Sequence, residues 1–253
     1  MPNSRMPDNK YIEGLRAAYL DLMRDSLTGR LNEDPPLPSS KVDGYKADFR
    51  EQGWDWPSKA PSMIGTLRMQ NVRSECERVL ADNVPGDFVE TGVWRGGAAI
   101  MMRAVLSAYG VTDRRVFAAD SFEGFPGQSE ADTNFSVGGV SDFAVSLEAV
   151  KENFARYGLL DDQVVFLKGL FRDTLPTLPA SRIAILRLDG DLYESTRDGL
   201  MLYERLSPGG TLIADDYFLF DGQRKAIDEF RDAQGITDPI VRIDHFGGYW
   251  IRR

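Results

Sequence analysis

Four aspartates stand in two tight pairs late in the chain, in Leu186-Arg187-Leu188-Asp189-Gly190-Asp191 and in Ile213-Ala214-Asp215-Asp216. Each pair closes a short apolar run, the pattern of a buried strand that ends in a polar turn. Ligands of open parallel sheets bind beyond the carboxyl ends of the strands, so two such ends bring four carboxylates to one edge. Crowded carboxylates repel one another unless a cation joins them. An all-oxygen set without His or Cys suits a hard ion, Mg²⁺ first, with Mn²⁺ and Ca²⁺ as weaker matches. A hydroxyl bound to such an ion ionises more readily, and a nearby carboxylate can take its proton. Aspartates also fill ordinary solvated turns, and it is the repetition at two strand ends that favours the cluster.

A second constellation lies upstream. The segment Asp87-Phe88-Val89-Glu90-Thr91-Gly92-Val93-Trp94-Arg95-Gly96-Gly97 runs from an apolar strand through an acid and a glycine turn into a helix start. Glycines there let the backbone come close to a ligand. The next strand ends in Ala119-Asp120-Ser121, which puts a carboxylate where doubly wound folds hydrogen-bond a ribose hydroxyl pair. The turn lacks the G-x-G-x-x-G spacing of dinucleotide sites, and a pyrophosphate on that helix start would meet the Glu90 carboxylate. A ligand with a positive centre and no phosphate fits better. S-adenosylmethionine, a sulfonium with an amino-acid tail and an adenosine, meets that description, with Glu90, Thr91, Gly92, Asp120 and Ser121 as candidate contacts.

The elements that must hold these residues alternate. Apolar runs at Phe88–Glu90, Val116–Asp120, Val164–Leu167, Ile183–Asp189 and Thr211–Asp215 are separated by helical patterns at Ala98–Ala108, Phe143–Tyr157, Ser195–Leu206 and Gly222–Gln234. Such alternation predicts an α/β fold with a mainly parallel sheet covered on both faces. The runs Ile240–Ile243 and Tyr249–Ile251 are joined by only Asp244-His245-Phe246-Gly247-Gly248, which predicts an antiparallel hairpin with His245 in its loop. Upstream, Tyr11–Leu27 carries Ile12, Leu15, Tyr19, Leu22 and Met23 at helical spacing and stops at Gly29, and Met63–Leu80 reads as a further helix. The stretch from Asn32 to Pro61 is rich in Pro, Gly, Asp and Ser yet holds Tyr45, Phe49, Trp54 and Trp56, which predicts a packed or closing loop. Trp54 and Trp56 serve there either to stack on a flat acceptor or to anchor the loop. No internal repeat is visible.

With 253 residues the chain suits one sizeable core with additions, since single cores stop growing near about 250–300 residues. The 42% hydrophobic and 27% charged content is that of a globular protein, and no apolar run approaches the roughly 18–20 residues of a membrane helix. The polar first ten residues carry no secretion signal, and the single Cys76, read as a packing residue, cannot close an internal disulfide; both lead to an expectation of a cytoplasmic protein. A net charge of −9 with no basic cluster argues against nucleic acid as a partner. One histidine, His245, is too few for a Cys/His zinc site.

Taken together, Glu90-Thr91-Gly92-Val93-Trp94-Arg95-Gly96-Gly97, Asp120-Ser121-Phe122-Glu123-Gly124-Phe125-Pro126, Leu186 through Thr196 and Asp215-Asp216-Tyr217 resemble the macrocin O-methyltransferase family. Tyr19-Leu20-Asp21-Leu22, Glu33-Asp34-Pro35-Pro36 and Met63-Ile64-Gly65 extend the likeness over nearly the whole chain. The resemblance implies a class I methyltransferase domain at 63–253, with a Rossmann-like, mainly parallel seven-stranded sheet ending in an antiparallel hairpin, and an N-terminal helix and lid extension at 1–62. It implies S-adenosylmethionine and Mg²⁺ as cofactors, a glycosylated or polyketide acceptor methylated on a deoxysugar hydroxyl, and a homo-oligomer. Carried over residue by residue, the metal ligands fall on Asp189, Asp215 and Asp216 and the general base on Asp191. Glu90 and Gly92 then line the methionine end of the cofactor, and Asp120 its ribose. Where the family has a His before the Ser/Thr-Met-Ile-Gly stretch this chain reads Ala60-Pro61-Ser62-Met63, and after Asp216-Tyr217 it reads Phe218-Leu219-Phe220-Asp221; both departures bear on the acceptor rather than the chemistry.

Two other functions share parts of this pattern. An NAD-dependent oxidoreductase would use the alternating strands and Asp120, but needs the missing glycine fingerprint and leaves the paired aspartates idle. A non-catalytic S-adenosylmethionine-binding protein would have no use for the clustered charge of Asp189, Asp191, Asp215 and Asp216.

Overall fold

The computed structural model describes residues 9–136 and 140–253. In chain order its elements are α1 (Asn9–Leu27), α2 (Ala47–Gln52), α3 (Gly65–Ala81), β1 (Asp87–Thr91), α4 (Gly97–Ala108), β2 (Val116–Asp120), α5 (Leu147–Arg156), β3 (Val164–Lys168), α6 (Phe171–Thr174), β4 (Ile183–Leu188), α7 (Tyr193–Leu200), β5 (Leu206–Ala214), α8 (Asp221–Gln234), β6 (Val241–Arg242) and β7 (Gly248–Ile251). The seven strands form one sheet in the order β3-β2-β1-β4-β5-β7-β6. The first five run parallel, and β7 is antiparallel to both β5 and β6.

Strand residues alternate between two cores because successive side chains point to opposite faces. Phe88, Val116, Ala118 and Ile213 join the residues of α3 and α4 on one side. Val89, Phe117, Ala119, Leu212 and Trp250 join Leu200 of α7 and Ile227 of α8 on the other. A sheet buried on both faces needs apolar residues at every position, which is why these strands read as continuous apolar runs.

Element boundaries differ from expectation where local chemistry intervenes. Ser146 accepts a hydrogen bond from the Ala149 amide and so starts α5 at Leu147, later than the apolar pattern suggested. The helix expected to reach Leu206 ends at Leu200, and Met201–Arg205 tightens into a 3₁₀ turn feeding β5, which begins at Leu206. The stripe expected on α1 is only partly inward. Leu20, Met23 and Leu27 are buried, whereas Tyr11, Ile12, Leu15 and Leu22 are exposed. Arg16 donates to the carbonyl of Ala108, the last residue of α4, and the buried residues of α1 all lie C-terminal to it.

The loop between α1 and α3 is packed. Arg50 and Asp55 are fully buried and paired through two hydrogen bonds of 2.9 and 2.6 Å, and Arg50 also donates to the carbonyls of Thr28 and Asp34. Asp34 accepts from the Ser58 hydroxyl and the amides of Lys59 and Ala60, which folds the segment back over the sheet edge. Among the described residues no helix is long and apolar enough to cross a membrane.

Candidate active site

Connections from β1 lead outward to β2 and β3, while β4 and β5 lie on its other side, so the sheet reverses direction between β1 and β4. Such a switch point leaves a crevice beyond the strand ends. A cavity of about 530 Å³ occupies it, reached by Glu90 and Gly92 after β1, Asp120 and Ser121 after β2, Asp189 and Asp191 after β4, and Asp215 and Asp216 after β5. Thr91 is not among the lining residues. Its hydroxyl is buried and donates to the Arg187 carbonyl, because strand alternation turns it away from the face that presents Glu90.

The glycines of the turn also serve packing. Gly92 has φ +87°, and a Cβ there would lie 2.0 Å from the Asp189 carbonyl oxygen. A Cβ on Gly96 would meet Val150 and Phe154, and one on Gly97 would meet Ser62. The missing side chains thus let protein segments approach each other, above all the ends of β1 and β4, while Gly92 and Gly97 also line the cavity. Three bulky or charged residues on these same turns hold left-handed backbone: Trp94 (φ 46°), Phe122 (φ 56°) and Asp191 (φ 56°). Each costs on the order of 1–3 kcal/mol and persists only where the surroundings enforce it.

Asp120 enforces part of this. One carboxylate oxygen accepts from the Val93 amide at 2.7 Å and the other from the Phe122 amide at 2.8 Å, tying the turns after β1 and β2 together. Burial pushes its pKa up, against the amide hydrogen bonds, which hold it down. The oxygen that takes the Phe122 amide also accepts from the Ser121 hydroxyl at 3.3 Å, and the carboxylate lines the cavity wall within reach of a ligand hydroxyl.

The aspartates after β4 and β5 converge. Oxygens of Asp189, Asp215 and Asp216 lie within 4.8 Å of one another. Burial raises Asp189 and Asp216 well above the usual carboxyl range, with their negative neighbours adding to it. Asp191 is pushed up to about 8 by burial and by Asp189, and it shares a hydrogen bond with Asp216. Glu90 is pushed up to about 7 by burial, less the opposing pull of Arg187. Site carboxyls that hold their protons unusually well mark a surplus of negative charge, and a divalent cation would relieve it. The donor set and its charge therefore fit a hard metal ion.

Two buried arginines, which reading the sequence for acids left unexplained, already offset part of that charge. Arg187 of β4 reaches Glu90 at 2.5 Å, Asp189 at 2.8 Å and Asp215 at 2.6 Å. Arg68 of α3 pairs with Asp215, lies 3.9 Å from Asp216 and bonds Asp244 of the hairpin at 3.0 Å. Arg187 had a legible signal, a charge flanked by leucines in a strand with both faces buried, which demands a buried partner. Arg68 had none, being 147 residues from Asp215 in sequence.

The macrocin-O-methyltransferase family model matches residues 23–252 of this chain. The chain belongs to the macrocin O-methyltransferase family. The 8-demethyl-8-(2,3-dimethoxy-alpha-L-rhamnosyl)-tetracenomycin-C 4'-O-methyltransferase of Streptomyces olivaceus is 52% identical to it over 248 residues, 94% of either chain. The demethyldecarbamoylnovobiocin O-methyltransferase of Streptomyces niveus is 47% identical over 243 residues, covering 92% of this chain and 93% of the relative. Among solved structures, the O-methyltransferase NovP superposes with a TM-score of 0.86 at 46% identity, covering 94% of this chain and 99% of that one. The calicheamicin methyltransferase CalS11, at 22% identity and a TM-score of 0.58, shares the fold. As a family member the chain is an O-methyltransferase, and S-adenosylmethionine is its methyl donor.

Residues outside the chemistry resolve as well. Arg95 reaches no site carboxylate. It donates to the carbonyls of Pro57 and Ala60 and stacks over Trp94, fastening the loop before α3 to the turn after β1. Trp56 packs on Phe143 and Trp54 on His245 in the hairpin loop, so both tryptophans anchor the loop while also lining the cavity. Cys76 is buried in the core.

Proposed function

We propose that the protein methylates a sugar hydroxyl of an antibiotic-type natural product, with Mg²⁺ held by Asp189, Asp215 and Asp216 and with Asp191 as general base. The observation that carries this reading is the convergence of the three aspartates within 4.8 Å at the edge of the crevice that Glu90 and Asp120 also line. The tetracenomycin relative named above acts on a rhamnosyl-bearing compound, which supports the acceptor class. When bound, Mg²⁺ makes a hydroxyl more acidic and S-adenosylmethionine supplies an electrophilic methyl group.

The chain's own residues do the rest. Glu90 and Gly92 would take the methionine end of the donor, and Asp120 and Ser121 its ribose. Asp191, 8% exposed and opening on the same cavity, accepts the proton that the acceptor oxygen loses as it gains the methyl group. Trp54, Trp56, Phe220 and Phe246 form apolar wall around the acids, which keeps water from competing for the methyl and offers rings to a sugar or its aglycone. In this scheme residues 1–62 serve as a helix and lid extension of a methyltransferase domain at 63–253, the enzyme works in the cytoplasm, and it assembles as a homo-oligomer through the exposed half of α1. Incubating the chain with S-adenosylmethionine, Mg²⁺ and a set of O-demethyl antibiotic glycosides tests the activity by mass spectrometry. A product heavier by one methylene on the sugar is expected; methylation only of aglycones without a sugar would overturn the acceptor assignment.

A further inference from the structure

Arg187 touches both halves of this site. The register sets Glu90 of β1 beside it on one side and Ile213 of β5, two residues before Asp215, on the other. Its side chain is 1% exposed, and one guanidinium meets Glu90, Asp189 and Asp215 within 2.8 Å. In the functional reading above those carboxylates serve different ligands. Glu90 faces the cationic end of the methyl donor, whereas Asp189 and Asp215 face the metal ion. Asp215 also gives its other oxygen to Arg68, so neither of its oxygens is free of a guanidinium. A cation that uses Asp215 must therefore share an oxygen with Arg187 or Arg68.

We propose that Arg187 couples the two ligands, so that a divalent cation at Asp189 and Asp215 weakens the hold of Glu90 on the methyl donor, and the reverse. A cation that takes Asp189 and Asp215 loosens their grip on Arg187, whose charge then falls more fully on Glu90. A better-neutralised Glu90 attracts a cationic ligand less. Burial keeps this exchange from being screened by salt. Linkage makes it reciprocal: the factor by which the metal weakens the donor is the factor by which the donor weakens the metal. Arg187 acts here through Glu90 and the aspartates and is a positioning residue.

The inference rests on the donor and metal assignments of the previous subsection, and calorimetry without acceptor separates their fates. S-adenosylmethionine is titrated into the full-length chain, freed of metal by chelator and dialysis, with and without saturating Mg²⁺. The expected affinity is roughly tenfold weaker with Mg²⁺, inside the usual range of coupling between sites, and Mg²⁺ titrated with and without donor returns the same factor. Glu90→Gln keeps the shape of the side chain without its charge, and Arg187→Lys keeps the charge without the fork; each should reduce the factor below about threefold. Circular dichroism and a cooperative melt in the absence of Mg²⁺ report that each variant is folded. Donor affinity unchanged or tightened by Mg²⁺ overturns the coupling, as does a full tenfold factor retained in either folded variant. In those cases measurable Mg²⁺ uptake leaves the metal site standing, whereas no Mg²⁺ uptake at all overturns both readings.

Discussion

Gly92 meets two demands at one position: a left-handed backbone and a carbonyl where a side chain would be, with Asp189 oxygen 2.0 Å from the Cβ site. Gly92→Ala is expected to cost about 1–3 kcal/mol from conformation alone and more from the clash, which a chemical denaturation curve would show. A stability equal to wild type would mean that the ends of β1 and β4 are not closely packed. As the proposed general base, Asp191 bears on both rate and pH response. Asp191→Asn should lower turnover roughly a hundred- to ten-thousand-fold, leave donor and Mg²⁺ binding in place, and recover part of the deficit in alkaline buffer. The pH dependence of stability has a definite sign. In the metal-free chain Glu90 and Asp191 keep their protons up to about 7 and about 8, while unfolded carboxyls release theirs near about 4. The native state therefore binds more protons across that window, and stability falls as pH rises from about 4 to about 8. Melting in chelator should show that decline, with a shallower slope for Asp191→Asn than for wild type.

At the scale of elements, the strands and the acids that end them were legible because both are local patterns: apolar runs, turns and paired aspartates. What positions the acids was less legible. Arg68 reaches Asp215 and Asp244 only through the tertiary fold, and the turn glycines serve contacts with Asp189, Ser62, Val150 and Phe154 that no local pattern announces. On α1 helical spacing shows a stripe but not what covers it, and Met23 of that stripe is buried while Ile12, Leu15 and Leu22 are exposed. The loop between α1 and α3 shows the same limit. Its aromatics were visible, but the Arg50–Asp55 pair that locks it is a contact between fully buried charges. Breaking that pair with Arg50→Ala leaves Asp55 uncompensated, a change that commonly costs about 3–5 kcal/mol. The loss should fall on the loop, raising KM for the acceptor more than Kd for S-adenosylmethionine. Equal changes in both would argue that the loop does not shape the acceptor side.

For the molecule as a whole, the switch point between β1 and β4 opens the one cavity in which the proposed mechanism puts donor, metal and acceptor, and the fold offers a further surface outside it. Ile12, Leu15 and Leu22 on α1 are 38%, 55% and 53% exposed, apolar area of the kind that subunits cover. Light scattering at micromolar concentration is expected to give a multiple of the 28.3 kDa chain mass, and Leu15→Glu should shift it toward the monomer. A monomeric wild-type chain would contradict the assembly.

The proposed mechanism turns on a metal ion at the paired strand ends, and chelation followed by Mg²⁺ titration tests it. Methyl transfer should stop in chelator and return as Mg²⁺ is added. In Asp215→Asn and Asp216→Asn the return should require a higher Mg²⁺ concentration, since each loses a charge facing the ion. A wild-type rate that persists undiminished after exhaustive chelation would contradict the account.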